Sequence, residues 1–139
     1  MSGAPEKALV LAAGLGTRLR PLSMSRPKPL LPLWGVPLLG RVLDMLEAWG
    51  VREVAVNLHW RPEMIREYLA ARASRLQVRF SHEPELLGTG GALRPMRAFL
   101  EGGPFWLVNA DIAAKLEAAP LQSAFETGGG LAAAWLEPK

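Results

Sequence analysis

A run of apolar residues that passes directly into a glycine turn constrains the fold of this 139-residue chain more than any other feature. The run covers residues 8–13, and the turn that follows, residues 14–18, reads GLGTR. An uninterrupted apolar run is typical of a strand that is buried on both faces of a parallel sheet. Bare backbone N–H groups beside a cation form a cradle for phosphate. The sequence therefore predicts a parallel sheet with an anion site after its first strand.

Strand-like and helix-like segments alternate along the rest of the chain. We predict strands over residues 7–13, 53–58, 76–80 and 105–108. We predict helices over residues 37–49, 62–72, 92–100 and 113–125, with Pro120 interrupting the last. Residues 14–36 should form a long loop that contains four prolines. Such alternation predicts an α/β fold of three layers, with a mainly parallel sheet and helices on both faces. The loops that follow the strands should then meet at one edge of the sheet.

Composition and charge exclude several classes of protein. The net charge is only +3 and no basic run is interleaved with aromatic residues, so we expect no nucleic-acid partner. The absence of cysteine excludes disulfides and thiolate metal sites and fits a reducing compartment. No apolar stretch reaches the roughly 18 residues of a membrane span. The run after Lys7 differs from a signal peptide because Glu6 accompanies that single basic residue. We predict a soluble, cytoplasmic protein with a single domain over residues 1–139.

The glycine turn differs from two well-known phosphate-binding motifs. A dinucleotide-binding fingerprint needs a third glycine at position 19, where the chain has Leu19. A P-loop starting at Gly14 would need Gly-Lys-Ser/Thr where residues 19–21 read LRP. On the glycines alone, a plain strand-to-helix turn is an alternative explanation.

Two cations favour a phosphate site over that plain turn. Arg18 lies within the turn and can form paired hydrogen bonds with phosphate oxygens. Lys28 is flanked by Pro27 and Pro29, which reduce the entropy lost when its backbone is held in place. Each residue alone is consistent with an ordinary surface position, whereas the two in one loop indicate a two-cation clamp.

Residues 11–33, LAAGLGTRLRPLSMSRPKPLLPL, resemble the signature of the sugar-phosphate nucleotidyltransferases. The family pattern is L-A-A-G-x-G-T-R-L-x-P followed by P-K-P-L-L-P. Further segments resemble, in order, the family's turn into its first helix, its second strand, its base-contacting loop and its metal-carrying strand end: residues 34–38, 56–59, 83–93 and 107–112. The residues in these segments are most similar to those of the mannose-1-phosphate guanylyltransferase and N-acetylmuramate-1-phosphate uridylyltransferase branches of the family.

The resemblance implies a Rossmann-like nucleotide-diphospho-sugar transferase fold and an enzyme of nucleotide-sugar biosynthesis. Its substrates would be a nucleoside triphosphate and a sugar-1-phosphate, its products an NDP-sugar and pyrophosphate, and its cofactor magnesium. The implied catalytic residues are Arg18, Lys28 and Asp111, the last also being the metal ligand. The implied nucleotide-binding residues are Ala12, Ala13, Gly14, Gly16, Thr17, Arg18, Glu83, Gly88 and Thr89.

Two departures from the family pattern bear on activity. Ala110 stands where the family commonly has Gly or Ser, which is a mild change. The larger departure is length, because family domains continue well past position 139 and supply a second aspartate and much of the sugar site. After Asp111 the chain has no further aspartate, and Glu117, Glu126 and Glu137 match no family motif. The fold therefore resembles the nucleotide-binding half, truncated at the C-terminus, as a fragment or a natural short form.

These departures leave a second functional hypothesis open. It is a catalytically incompetent module that binds a nucleotide or nucleotide-sugar. A third hypothesis, a dinucleotide-dependent oxidoreductase, is disfavoured by Leu19. The sequence leaves open whether the base is guanine, uracil or thymine, and which sugar is used.

The remaining aromatic and histidine residues are assigned simpler roles. We expect His59 and His82 to lie at strand ends without a catalytic role. The core should contain Trp49 and Trp106, while Trp34 and Trp60 lie on loops. A truncated sheet would expose apolar surface around Trp135, which favours a homo-oligomer.

Overall fold

The computed structural model describes residues 3–136, which form a parallel sheet covered on both faces. The main sheet has the strand order β5-β4-β1-β6, and all three of its pairings are parallel. Its strands are β1 (Lys7–Leu11), β4 (Glu53–Leu58), β5 (Gln77–His82) and β6 (Trp106–Asn109). Two short strands, β2 (Pro32–Leu33) and β3 (Val36–Pro37), pair as an antiparallel ribbon outside the main sheet.

The order in which the chain adds strands to the sheet reverses near its centre, between β1 and β6. From β1 the chain proceeds outward to β4 and β5, and it then returns to the other side of β1 as β6. Leu11 is in register with Asn57 on β4 and with Asn109 on β6. Loops that leave β1 and β6 therefore diverge at this point and open a crevice, which is where parallel α/β sheets bind ligands.

One face of the sheet carries the larger helices and most of the core. These are α2 (Leu38–Ala48), α3 (Pro62–Ala71) and α6 (Ala118–Gly128). The helical spacing of Leu39, Val42, Leu43 and Leu46 produces an apolar stripe on α2 that is fully buried against β1 and β4. Beside this cluster, the ring centroids of Trp49 and Trp106 lie 4.9 Å apart, as expected of core residues.

The other face is covered by a thinner layer. Its buried residues are Leu9, Ala55 and Leu100, with Leu93 and Phe99 packed against them. The layer contains the short helices α4 (Gly88–Gly91) and α5 (Arg97–Leu100). The expected three-layer α/β fold with helices on both faces is thereby confirmed.

The structure corrects the predicted helix over residues 92–100. Turns occupy residues 92–96, where hydrogen bonds such as Met96 N–H to Leu93 O span three residues rather than four. Pro95 has no N–H to donate to the helical ladder, and the glycines of α4 favour early termination. The helix predicted over residues 113–125 begins instead at Ala118, which leaves Pro120 in its first turn, where the missing N–H is tolerated.

The long loop over residues 14–36 is more ordered than the sequence predicted. It contains two 3₁₀ turns (Thr17–Leu19 and Lys28–Leu30), the short helix α1 (Leu22–Ser25) and the β2–β3 ribbon. The remaining strand and helix boundaries differ from the predicted ones by two residues or fewer. Over residues 3–136, no helix has the length and apolarity needed to cross a bilayer. Glu137 lies outside the described residues.

Candidate functional site

A cavity of about 760 Å³ opens at the carboxyl edge of the sheet, beside the reversal between β1 and β6. Its walls come from the glycine loop (residues 12–19), the end of β4, the second loop (residues 83–91) and the residues that follow β6. All of the site residues expected from the sequence line it: Ala12, Ala13, Gly14, Gly16, Thr17, Arg18, Lys28, Glu83, Gly88, Thr89 and Asp111. Segments that are far apart in sequence therefore share one cavity.

The glycine loop holds its shape through Gly16. This residue has φ of 64°, in the left-handed region that side chains disfavour. A Cβ atom at Gly16 would lie 3.1 Å from the Lys28 Cβ and 3.2 Å from the Ser23 Cβ. The Ser23 hydroxyl, which is 2% exposed, donates a hydrogen bond of 2.6 Å to the Gly16 carbonyl. Both the conformation and the space at this position therefore require glycine.

Two cationic side chains line the cavity, and among the described residues only one of them is in an ion pair. The Arg18 side chain is exposed and has no hydrogen-bond or ion-pair partner within the described part of the chain. The Lys28 ammonium forms an ion pair with the Asp111 carboxylate, and each of the two side chains is 34% exposed. Arg18 is thus available to an anion at once, whereas Lys28 must first leave Asp111.

Asp111 is positioned by an extension of the pairing between β1 and β6. The Ala110 N–H donates to the Leu11 carbonyl at 3.0 Å, and Ala110 is fully buried. This bond places the residue that follows, Asp111, beside the glycine loop. The methyl group of Ala110 is accommodated within the core.

The donor set at Asp111 fits a magnesium ion. Within residues 3–136, no three acidic, histidine or cysteine side chains come together as a metal cluster. A cation at Asp111 would therefore take most of its ligands from outside this part of the chain. Magnesium is commonly bound in this way, through one or two carboxylates, substrate phosphates and retained water.

Sequence reasoning missed Asn57, which connects two walls of the cavity. Its side chain accepts a hydrogen bond of 2.6 Å from the Ala12 N–H and donates one of 2.9 Å to a Glu83 carboxylate oxygen. Asn57 and Glu83 are 3% and 1% exposed. The available signal was a polar residue within the apolar strand β4, in the register position beside Leu11.

The second loop is anchored at one end and exposed beyond it. Glu83 is buried, whereas residues 84–90 are exposed. The Leu87 N–H donates to the second carboxylate oxygen of Glu83 at 3.2 Å, and His59 Nδ1 lies 2.8 Å from the Glu83 carbonyl oxygen. His82 is exposed at the end of β5. That neither histidine acts in catalysis remains a prediction.

Comparison with known proteins identifies related sequences. Residues 7–133 match the family model described as nucleotidyl transferase. The mannose-1-phosphate guanylyltransferase catalytic subunit beta of Dictyostelium discoideum is 36% identical over 127 residues, which is 89% of this chain and 35% of that protein. The N-acetylmuramate alpha-1-phosphate uridylyltransferase of Caulobacter vibrioides is 40% identical over 115 residues, which is 80% of this chain and 48% of that protein. The chain thus spans about a third to a half of these relatives.

Solved structures of related proteins also align with most of this chain. HddC from Yersinia pseudotuberculosis complexed with GMP-PN aligns with a TM-score of 0.75 and 31% identity, covering 87% of this chain and 55% of that one. A UDP-glucose pyrophosphorylase complexed with UDP-glucose aligns with a TM-score of 0.74 at 20% identity, which supports the fold alone.

Proposed function

Because the chain belongs to the nucleotidyl transferase family, we propose that it binds a nucleoside triphosphate with magnesium and supplies the nucleotide side of a sugar-1-phosphate nucleotidyltransferase site. In the proposed reaction, an oxygen of the sugar-1-phosphate attacks the α-phosphorus of the nucleotide. The bond from the α-phosphorus to the oxygen that bridges the α- and β-phosphates breaks, and pyrophosphate leaves with that oxygen. Such transfer depends mainly on positioning and on neutralising phosphate charge.

One observation carries this proposal: the glycine loop, two cations and one carboxylate converge on a single cavity. In the proposed roles, the backbone N–H groups of Gly14, Gly16 and Thr17 hold the triphosphate. The free Arg18 guanidinium stabilises negative charge on the phosphates during transfer. Lys28, once released from Asp111, binds phosphate near the reacting centre. No protein nucleophile is required.

Asp111 is the residue that would hold magnesium in this proposal. A magnesium ion bound there would neutralise charge on the nucleotide phosphates. The Asp111 carboxylate is suited to this because it is half-exposed toward the cavity and its present partner, Lys28, is a flexible side chain. Gly88 and Thr89 are assigned to the base and ribose side of the same cavity, and Glu83 lines it at the start of their loop.

A second candidate is a module that binds nucleotide without catalysing transfer. The cavity lining contains two carboxylates, Asp111 and Glu83, and Glu83 is engaged in hydrogen bonds with Asn57 and Leu87. A second carboxylate ligand for a metal is therefore lacking in the cavity as the described residues build it. This observation favours binding without turnover for the 139-residue chain.

Two measurements on the same chain separate these candidates. Calorimetric titration with GTP, UTP and dTTP, with magnesium or with EDTA, tests nucleotide binding. Pyrophosphate release with GTP and mannose 1-phosphate, or UTP and N-acetylmuramate 1-phosphate, tests turnover. Binding with turnover supports the transferase, and binding alone supports the module. A chain that binds none of the three nucleotides would contradict both.

Two further expectations are part of the proposal. The cytoplasmic location remains a prediction from the sequence. For the homo-oligomer, the support is exposed apolar surface: Leu107 on β6 is 43% exposed and Trp135 is 49% exposed. Sedimentation of the chain over a concentration series tests this second point.

A further inference from the structure

We propose that Asn57 is a positioning residue that joins the glycine loop to the second loop, and that Glu83 acts through Asn57 rather than by reading the base. This inference rests on the proposed function, since it concerns how the same nucleotide cavity is held in shape. It assigns Asn57 a role in nucleotide affinity and removes Glu83 from direct contact with the base.

The first part of the link fixes the start of the glycine loop. Ala12 is the first residue after β1, and its N–H lies beyond the ladder that pairs Leu11 with Asn57. The Asn57 Oδ1 accepts this N–H at 2.6 Å from within the core, where Asn57 is 3% exposed. A buried N–H is costly to leave without an acceptor, so the bond holds the backbone at the point where the glycine loop begins.

The second part of the link fixes the start of the second loop. The Asn57 Nδ2 donates to one carboxylate oxygen of Glu83 at 2.9 Å, and the other oxygen accepts the Leu87 N–H at 3.2 Å. The Glu83 N–H donates to the Leu58 carbonyl at 2.7 Å. With both oxygens engaged and only 1% of the residue exposed, Glu83 is bound to the protein rather than free to contact a base.

An amide is the side chain that this position requires. It offers an acceptor toward Ala12 and a donor toward Glu83, on two atoms of nearly the same size. Aspartate would keep the acceptor but would place oxygen against oxygen at Glu83. The amide therefore holds the two loops at a fixed separation before a nucleotide arrives, and such preorganisation raises affinity by reducing the ordering that binding requires.

The test reverses the polarity of the link. Asn57→Asp alone sets two carboxylates against each other, and Glu83→Gln alone leaves one of the two N–H groups at that residue without an acceptor. In the double variant, the introduced amide donates to the introduced carboxylate and still accepts the Leu87 N–H. The Ala12 N–H keeps its acceptor, and the total charge of the pair is unchanged. All the hydrogen bonds of the network are then restored with the link reversed.

The probes are GTP and UTP with magnesium, compared with inorganic tripolyphosphate. We expect each single variant to bind the nucleotide at least about tenfold more weakly, a loss of one or more buried hydrogen bonds, and the double variant to recover most of that loss. Tripolyphosphate affinity should change less than nucleotide affinity in Asn57→Asp, since the Ala12 contact is kept. A role in folding alone would lower both affinities together with the melting temperature.

The outcomes separate this inference from the proposed function. A double variant that folds or binds nucleotide no better than the single variants would overturn the inference, because Glu83 would then be needed as a carboxylate. Equal losses of affinity for the nucleotide and for tripolyphosphate in Asn57→Asp would overturn the inference as well. Failure of the unaltered chain to bind either nucleotide would overturn the proposed function, and the inference with it.

Discussion

The Lys28 ammonium and the Asp111 carboxylate form an ion pair within the cavity although 83 positions separate them in the chain. Both side chains are 34% exposed, so neither is locked in the core. Each neutralises the other when no ligand is present. Magnesium at Asp111 and phosphate at Lys28 would compete with this contact, which links the two binding events.

Removing the Asp111 charge should separate these effects. We expect Asp111→Asn to abolish the magnesium dependence of nucleotide binding and to reduce turnover strongly, because the proposed metal ligand is lost. Affinity for nucleotide in EDTA should rise by roughly fivefold, since Lys28 is released for phosphate. Calorimetry with magnesium and with EDTA measures both changes.

Asp44→Asn is the matched control for that variant. It removes one carboxylate from an exposed ion pair with Arg72, on α2 and away from the cavity. Its nucleotide affinity should keep the magnesium dependence of the unaltered chain. If Asp111→Asn behaves in the same way as this control, the metal role assigned to Asp111 is wrong.

Arg18→Ala tests the free cation of the glycine loop. Because Arg18 has no ion-pair partner among the described residues, its removal should leave the melting temperature nearly unchanged. Nucleotide affinity should fall at least about tenfold, and any pyrophosphate release about a hundredfold or more. Arg94→Ala, which removes an exposed arginine outside the cavity, is the control. Equal behaviour of the two variants would exclude a phosphate contact for Arg18.

Gly16→Ala should destabilise the fold and weaken nucleotide binding together. The left-handed φ of 64° costs a side chain about 1–2 kcal/mol. The new methyl would also press on Lys28 and Ser23 at 3.1 and 3.2 Å. We expect the melting temperature to fall by roughly 4 °C or more for each kcal/mol lost. Gly128→Ala is the control, since open space surrounds that position and its φ is not in the left-handed region. Equal melting temperatures in the two variants would contradict the strain assigned to Gly16.

Acid should weaken the contact between α2 and the turn before β5. Burial of the Glu47 carboxyl opposes ionisation, but hydrogen bonds from Ser74, the Arg75 N–H and Arg72 lower the pKa of Glu47 below its ordinary value of 4.5. A lowered pKa stabilises the folded chain above the unfolded pKa, and this stability is lost as pH falls through the folded pKa. Urea midpoints for the unaltered chain and Glu47→Gln should therefore differ at pH 7 and converge as the pH falls through the folded pKa of Glu47.

Glu67→Gln controls for the loss of a negative charge in that experiment. Glu67 is exposed on α3 and has no side-chain partner among the residues that the structure describes. Its midpoint should stay close to that of the unaltered chain at pH 7. A constant difference between Glu47→Gln and the unaltered chain at all pH values would show that the carboxylate charge contributes nothing.

The sequence predicted the parts of this protein that short-range patterns encode. The apolar strand followed by a glycine turn located β1 and the glycine loop, and the helical stripe of Leu39, Val42, Leu43 and Leu46 located α2. The helix predicted over residues 92–100 was wrong because Pro95 has no N–H to donate and the glycines of α4 favour early termination, so turns occupy residues 92–96.

Contacts between distant segments of the chain could not be predicted from those short-range patterns. The Lys28–Asp111 ion pair and the link from Ala12 through Asn57 to Glu83 depend on β1 lying between β4 and β6, an order that no local signal specifies. In the sequence, Asn57 is simply one polar residue within a predicted strand. Its partners come from two other segments, so its role became visible only with the fold.

Residues 84–90 of the second loop are exposed, and they lie between two buried residues, Glu83 and Ala92. Apart from Gly88, whose φ of 71° favours glycine, residues of this segment can therefore be substituted without disturbing the sheet or the glycine loop. Under the proposed function, selection for a different nucleobase would act on these exposed residues, while the phosphate-binding glycine loop would stay unchanged. Because the exposed segment is separate from the core and from the glycine loop, a new nucleotide preference could evolve without passing through an unstable variant.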